Sequence, residues 1–276
     1  MYNRITNQFE GFINTPSIFE NSKFSGFTLF IFPNKISYNS SNQILDKNFS
    51  KNLVLGKRVE YFFSAVIKDS SEYQIIVHNI QINDKDRTLG ELDFIMRELE
   101  TSKILHIELM YKFYVYDPEI RVEMERWIGP NRKDSLLKKI EKVKTNQFPL
   151  LYTPETEKYL QSIDIGSEDI KQKICFKASL FIPKKFKSYN FPHINKECIV
   201  GFWIHLKNFS EYNQEGFEFF APEKQDWPID PKNGEEWFSF KEVGEQIQNL
   251  HLSKKSPLIW IKKIDGSFER IIVVWW

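Results

Sequence analysis

The stretch HIELMYKFYV, residues 106–115, sorts by parity. Ile107, Leu109, Tyr111, Phe113 and Val115 fall on one side of an extended chain. His106, Glu108, Met110, Lys112 and Tyr114 fall on the other, because successive strand side chains point to opposite faces. A strand with a carboxylate and an ammonium on one face is one of two things. It is a half-exposed strand with a same-face ion pair, worth about 0–1 kcal/mol when exposed, or it presents a site.

The flanking sequence supplies its neighbours. LVLGKRVEYFFSAVIK (53–68) has Leu55, Val59, Phe62, Phe63 and Val66 at helical spacing, so a helix is expected. YQIIVHNIQI (73–82) is rich in β-branched residues and reads as a strand, followed by the polar turn NDKD. TLGELDFIMREL (88–99) reads as a second strand, and ETSK turns the chain into HIELMYKFYV as the third. Three strands with short connections predict an antiparallel meander. After Pro118, Asn131 is the expected N-cap of a helix with Asp134 in its first turn and an apolar stripe of Leu136, Leu137, Ile140 and Val143. TPETEKYLQSI (153–163) predicts a further helix and ICFKASLFI (174–182) a fourth strand.

The remainder carries strand-like CIVGFWIHL and FEFFAP, a helix around FKEVGEQIQNL, and a hairpin turning at Asp265-Gly266. The fold expected is α/β (α+β), with a mixed sheet. Residues 1–52, rich in Asn, Ser and Phe, form an irregular or partly helical lead-in. The core spans 53–185, and 186–276 is an appended α+β region, continuous with the core or separate from it.

Composition narrows the function classes. The 276-residue chain has a net charge of +1, with 25 Phe, 11 Tyr and 7 Trp. No global basic field marks it as a nucleic-acid binder. Charge is unevenly spread, however: Lys171 to Lys187 holds six lysines and no acid, and Arg132 to Lys144 sets six basic residues against Asp134 and Glu141. A solvated face is the plain reading of such runs. The Lys171–Lys187 run, interleaved with Phe176, Phe181 and Phe186, is also compatible with following a nucleic-acid backbone. Cys175 and Cys198 have no metal-ligand spacing and suit a reduced compartment. The run FTLFIF (27–32) is too short to span a bilayer, so a cytoplasmic protein without membrane association is expected. There is no GxGxxG, P-loop, HExxH or nucleophile elbow.

The polar positions of the middle elements suggest one constellation. The helix carries Glu60, the second strand Glu91 and Asp93, and the third strand Glu108 and Lys112. Carboxylates brought together repel and raise each other's pKa unless a cation intervenes, and hard oxygen donors suit Mg2+ or Mn2+. Each residue also has a plain role. Glu91 is a solvent-facing strand acid, Glu60 a helix-surface acid, and His106 a packing or hydrogen-bonding residue.

The order αβββαβ, with an acid on the first helix, Asp on strand two and Glu…Lys on strand three, resembles the PD-(D/E)XK nuclease-like superfamily. LGKRVEYFF, RTLGELDFI, HIELMYKFYV, WIGPNRKDSLLKK and the early FINTPSIF look like a bacterial family of uncharacterised proteins assigned to it. The likeness is carried by roughly 53–145. It implies a restriction-endonuclease-like core and a metal-dependent nuclease acting on DNA. Asp93 and Glu108 would then be metal ligands for Mg2+ or Mn2+, Lys112 the motif lysine and Glu60 the helix acid, with Glu91 and His106 in support. The pattern departs in one place. Met110 occupies the usual lysine slot, and Lys112 lies two residues on, about 6–7 Å further along a strand. The same segment GPNRKD offers Arg132 and Lys133, with Lys138 beyond, as phosphate contacts at a helix start. Gly-Pro before Asn is equally a plain helix start. An inactive nucleic-acid-binding module, or a protein-interaction role for the aromatic C-terminal part ending Trp275-Trp276, are the alternatives.

Overall fold

The computed structural model describes residues 2–21, 23–24, 26–33 and 53–276. Residues 34–52 of the expected lead-in lie outside the described residues. In chain order the helices are α1 (Tyr2–Asn14), α2 (Leu55–Asp69), α3 (Leu136–Lys142), α4 (Phe148–Leu150), α5 (Pro154–Gln161) and α6 (Phe240–Leu252). The first strands are β1 (Lys23–Phe24), β2 (Phe27–Thr28), β3 (Tyr73–Asp84), β4 (Arg87–Glu98), β5 (Ile104–Tyr116) and β6 (Trp127–Ile128). Then come β7 (Lys171–Ile182), β8 (Ile199–His205), β9 (Glu218–Phe220), β10 (Leu258–Lys262) and β11 (Phe268–Val274). The fold is mixed α/β, with parallel and antiparallel strand pairs.

Contacts group the chain into two compact units. One comprises Phe19–Tyr111 and Lys138–Phe176, the other Met1–Ile18, Lys112–Leu137 and Lys177–Trp276. The stretch 53–185 therefore contributes to both, and β5 and β7 each divide between them.

In the first unit, β3, β4 and the start of β5 form the expected antiparallel meander. α2 packs on it because its apolar stripe, including Val59, Phe62, Phe63 and Val66, is buried. Phe63 meets Phe94 of β4 at 4.7 Å between ring centroids, and Phe30 closes over Phe63 at 5.6 Å. Ile80, Ile82, Leu92 and Ile95 pack with Leu150, Leu151, Leu160 and Ile170. α5 starts where the sequence calls for it: Thr153 caps the Thr156 N–H, and Pro154 occupies the first turn.

In the second unit, β8 runs parallel to β11, and β10 lies antiparallel to both β11 and β9. The hairpin turns at Gly266, whose φ of 78° favours glycine. α6 begins with a capping box between Ser239 and Glu242 and buries Val243 and Ile247 among Phe219, Ile259 and Ile271. At the other end of the chain, the C-terminal carbonyls of α1 find a partner in Lys177, whose Nζ donates to Ile13 O at 2.9 Å and Thr15 O at 2.5 Å. Lys177 is buried, and so are Phe176 and Phe181. β7 is buried on both faces over most of its length, so Phe176, Lys177 and Phe181 present no binding face, whereas Lys171, Lys184, Lys185 and Lys187 of the same run are exposed.

Gly201 of β8 marks a close backbone approach in this unit. A Cβ there would stand 2.2 Å from the carbonyl oxygen of Arg270. Gly201→Ala is expected to cost about 3 kcal/mol, since backbone must move to admit one methyl. Urea unfolding of the variant, with wild-type secondary structure in the far ultraviolet, measures it.

The helix expected from Asn131 starts later, at Leu136. Residues 129–134 instead form a tight loop in which Gly129 N–H donates to Asp134 O at 2.8 Å and Arg132 takes a φ of 58°. Asn131 accepts the Ser256 N–H at 2.8 Å rather than capping a helix. Local N-cap chemistry was outweighed by this long-range partner. The stripe itself is where expected, with Leu136, Ile140 and Val143 buried.

Candidate functional site

The ladder between β4 and β5 is short. It pairs Arg97 with Ile104 through to Phe94 with Ile107 and stops. The next residues in that register would be Asp93 and Glu108. There the Asp93 side chain takes over a backbone role, its Oδ2 accepting the Leu109 N–H at 2.8 Å. On the other side of β4 the β3 ladder is disturbed at the same level. His78 pairs with Phe94 and Ile80 with Leu92, while Asn79 between them adopts a φ of 55°. Left-handed backbone inside a strand is uncommon, and Asn tolerates it better than most residues. The distortion sends the Asn79 Nδ2 to Glu60 Oε2 at 2.9 Å.

Glu108 is fully buried, as is His106. The β5 strand is therefore not half-exposed at this point. Gln172 Nε2 lies 2.8 Å from Phe148 O, which only accepts, so the amide nitrogen faces both it and His106 Nδ1 at 3.0 Å. His106 therefore carries its proton on Nε2 and donates to Glu108 Oε1 at 3.0 Å. Lys139 Nζ donates to Gln147 Oε1 at 2.9 Å, which turns Gln147 Nε2 toward Glu108 Oε2, to which it donates. Both Glu108 oxygens thus accept from side chains that are themselves fixed. Burial lowers the His106 pKa to about 4, so its contact with Glu108 is a hydrogen bond and not an ion pair. Gln147 ends a π-helical turn, Val143–Gln147, between α3 and α4. The wider turn is a feature often found at functional sites.

Electrostatics mark the same pair. Burial, followed by the neighbouring Glu108, pushes Asp93 up to about 7. Burial also pushes Glu108 up to about 7, opposed by Lys139 and by hydrogen bonds from Gln147 and the Asp93 backbone. Lys139 acts on both carboxylates. Nearby, Lys57 Nζ bridges Glu60 Oε2 at 2.9 Å and Glu91 Oε1 at 3.2 Å. The Glu60 carboxyl is raised by burial. Lys57 and Glu60 do face each other, since a three-residue spacing on a helix puts them on one side.

The constellation expected from sequence is thus brought together in part: Glu60, Glu91, Asp93, His106 and Glu108 share one unit. Lys112 does not pair with Glu108. Its Nζ is 2.6 Å from Asp134 Oδ2, and both residues belong to the other unit. Met110 is buried. Arg132 is held by the buried Asp117 at 2.6 Å and lies 3.8 Å over the Trp276 ring. Lys133 and Lys138 are exposed. Sequence reading missed Lys139, Gln147, Gln172 and Asn79. Lys139 had a signal: it lies three residues after Leu136 and four before Val143, beside the buried stripe. The two glutamines carry no motif.

Among the described residues, no three His, Cys, Asp or Glu side chains stand close enough to hold a metal ion together. The donors on offer are a carboxylate pair. That set fits Mg2+, which keeps several waters and is bound through one or two carboxylates, and a divalent cation would offset the repulsion within the pair.

A family model described as DUF1853, domain of unknown function, matches residues 39–269, more than four fifths of the chain. The chain belongs to the DUF1853 family. No curated protein and no solved structure matches it. The DUF1853 match includes every residue of the Asp93–Glu108 network, Gln147 and Gln172 among them. No helix among the described residues is long and apolar enough to cross a membrane.

Proposed function

We propose that this DUF1853 chain is a metal-dependent nuclease of the PD-(D/E)XK type, with a restriction-endonuclease-like core, that hydrolyses phosphodiester bonds in DNA. The reading is supported above all by one observation: Asp93 and Glu108 sit side by side where β4 and β5 part, and burial raises both. Asp93 and Glu108 would hold Mg2+ or Mn2+, which supplies positive charge at the scissile phosphate. The chain's own residues do the rest. Leu109 N–H fixes Asp93 through Oδ2, and its other oxygen would accept a proton from an attacking water. His106 and Gln147 hold Glu108 in one orientation, and Lys139 lowers the pKa of both carboxylates. The water oxygen would bond to phosphorus as the bond to the leaving sugar oxygen breaks; that oxygen would take up a proton from solvent, and Asp93 would release its own to solvent to close the cycle.

In this scheme Lys139, and not Lys112, is the cation of the site. Lys139→Met is expected to lower cleavage and move the acid limb of its pH profile to higher pH, because loss of a nearby cation raises both carboxylates further. Lys112→Met should leave the position of that limb unchanged. The profile is read from plasmid nicking with Mg2+ across pH 5–9 (about the range over which such groups titrate). A limb that moves with Lys112→Met and not with Lys139→Met would sink the assignment.

A second reading has its own observation. With Met110 buried and the Lys112 ammonium on Asp134, the motif lysine slot is empty of charge, as in a nuclease-like chain that binds nucleic acid or protein without cutting. DNA binding with steep salt dependence and no cleavage under Mg2+ or Mn2+ would favour it.

A further inference from the structure

Asp134, the acid that holds Lys112, is outnumbered by cations. Its Oδ2 takes Lys112 Nζ at 2.6 Å, and its Oδ1 accepts the Ser135 N–H at 2.9 Å. Lys133 precedes it in the tight 129–134 loop and is exposed. A third lysine arrives from a distant part of the chain. Trp227 is buried and meets Phe113, the neighbour of Lys112, edge-on at 4.9 Å. That contact docks the 3-10 turn Lys224–Asp226 and leaves Lys224 Nζ 5.8 Å from the Trp227 ring. The acids of its own turn are turned elsewhere: Asp226 and Glu223 both pair with Arg4. The charges that act on Lys224 are Lys112, Asp134 and Lys133, and burial together with the two lysines lowers its pKa. Lys112 bonds Asp134, Lys133 adjoins that acid in the chain, and Lys224 stands within range of all three charges, the whole group lying in one compact unit.

We propose that Lys112, Lys133 and Lys224 form a phosphate-binding patch that grips the backbone of a nucleic-acid strand. Like charges gathered round a single acid repel, and an anion among them relieves that repulsion. A phosphodiester suits the patch better than a carboxylate ligand would. Lysine meets phosphate as a point charge, and the patch offers no planar guanidinium fork, since Arg132 is committed to Asp117 and Trp276. Contacts of this kind position a strand without reading its bases. The inference rests on the reading of the chain as a nucleic-acid enzyme, but concerns binding and not cleavage.

The test is fluorescence anisotropy with a short labelled duplex and its separated strands over a range of salt. The full chain is compared with a Lys133→Ala/Lys224→Ala double variant and with Lys196→Ala, an exposed lysine that does not act on Lys224. Lys112 is left in place so that Asp134 keeps its partner. The double variant should bind roughly tenfold more weakly, equally for unrelated sequences, with its log–log salt slope flattened by about 2. Lys196→Ala should behave as wild type. A double variant that binds as wild type with an unchanged slope overturns the patch and leaves the nuclease reading standing. Binding lost in the double variant, in a chain that never cuts, supports the patch and removes the nuclease reading. Wild-type protein that binds neither duplex nor single strands overturns both.

Discussion

Asp93→Asn and Glu108→Gln are each expected to reduce Mg2+-dependent DNA cleavage by about a thousandfold, within the 10²–10⁴ range for losing a positioned acid–base group. Their effects on stability should differ, and that difference tests the network. Asn at 93 can still present its carbonyl oxygen to the Leu109 N–H. Gln at 108 cannot satisfy both of its neighbours. His106 Nε2–H and Gln147 Nε2–H each need an acceptor, and neither can reverse. Gln172 fixes the imidazole tautomer, and Lys139 fixes the amide. One NH2 of the new glutamine would face a donor, so Glu108→Gln should cost about 2 kcal/mol. Plasmid nicking and urea unfolding on the same preparations give both numbers. Undiminished cleavage in either variant would remove the assigned site.

Stability should fall as pH rises through the same pair. Asp93 and Glu108 have folded pKa values of about 7, against ordinary values of 3.8 and 4.5. The folded state therefore holds their protons more tightly than the unfolded chain does. Their contribution is complete below about pH 4, declines through about pH 7 and is flat beyond. After allowing for the partial exposure of Asp93 and the coupling of the two groups, the change is on the order of 3 kcal/mol. Asp93→Asn should shrink it and stabilise the protein at pH 8. Mg2+ should do the same to the wild type, by about 2.7 kcal/mol at a hundred times its dissociation constant. The benefit should be smaller at pH 5, where protons compete for the same oxygens. Equal stability at pH 5 and pH 8 without metal would contradict the coupled pair. A melting temperature indifferent to Mg2+ at pH 8 would contradict the metal site.

Much of the fold was legible because periodicity reports burial directly. The α2 stripe of Val59, Phe62, Phe63 and Val66, the meander of β3, β4 and β5, and the hairpin turning at Gly266 are all local patterns, and each stands where the sequence places it. The start of α3 was not legible. Asn131 has good capping chemistry, but Ser256, 125 residues away, takes its side chain. Likewise, the lysines and phenylalanines of 171–187 alternate like a binding face. The burial of Phe176, Lys177 and Phe181 among them depended on strands and a helix from elsewhere in the chain.

For the candidate site the division runs between residue types and partners. The sequence by itself determined that Glu60, Asp93 and Glu108 lie on a helix and two adjacent strands, since strand parity and a short turn put them within reach of one another. It could not determine which cation serves them. Lys112, four residues after Glu108, was the natural candidate, yet its ammonium is drawn to Asp134. Only the tertiary structure brought Gln147 and Lys139 to Glu108 and Gln172 to His106, because hydrogen bonds and charge act across space while periodicity acts along the chain. HIELMYKFYV announced a strand with an acid on it, and the fold buries that acid. What that acid does depends on side chains as distant in the chain as Gln172, 66 residues beyond the His106 that it orients.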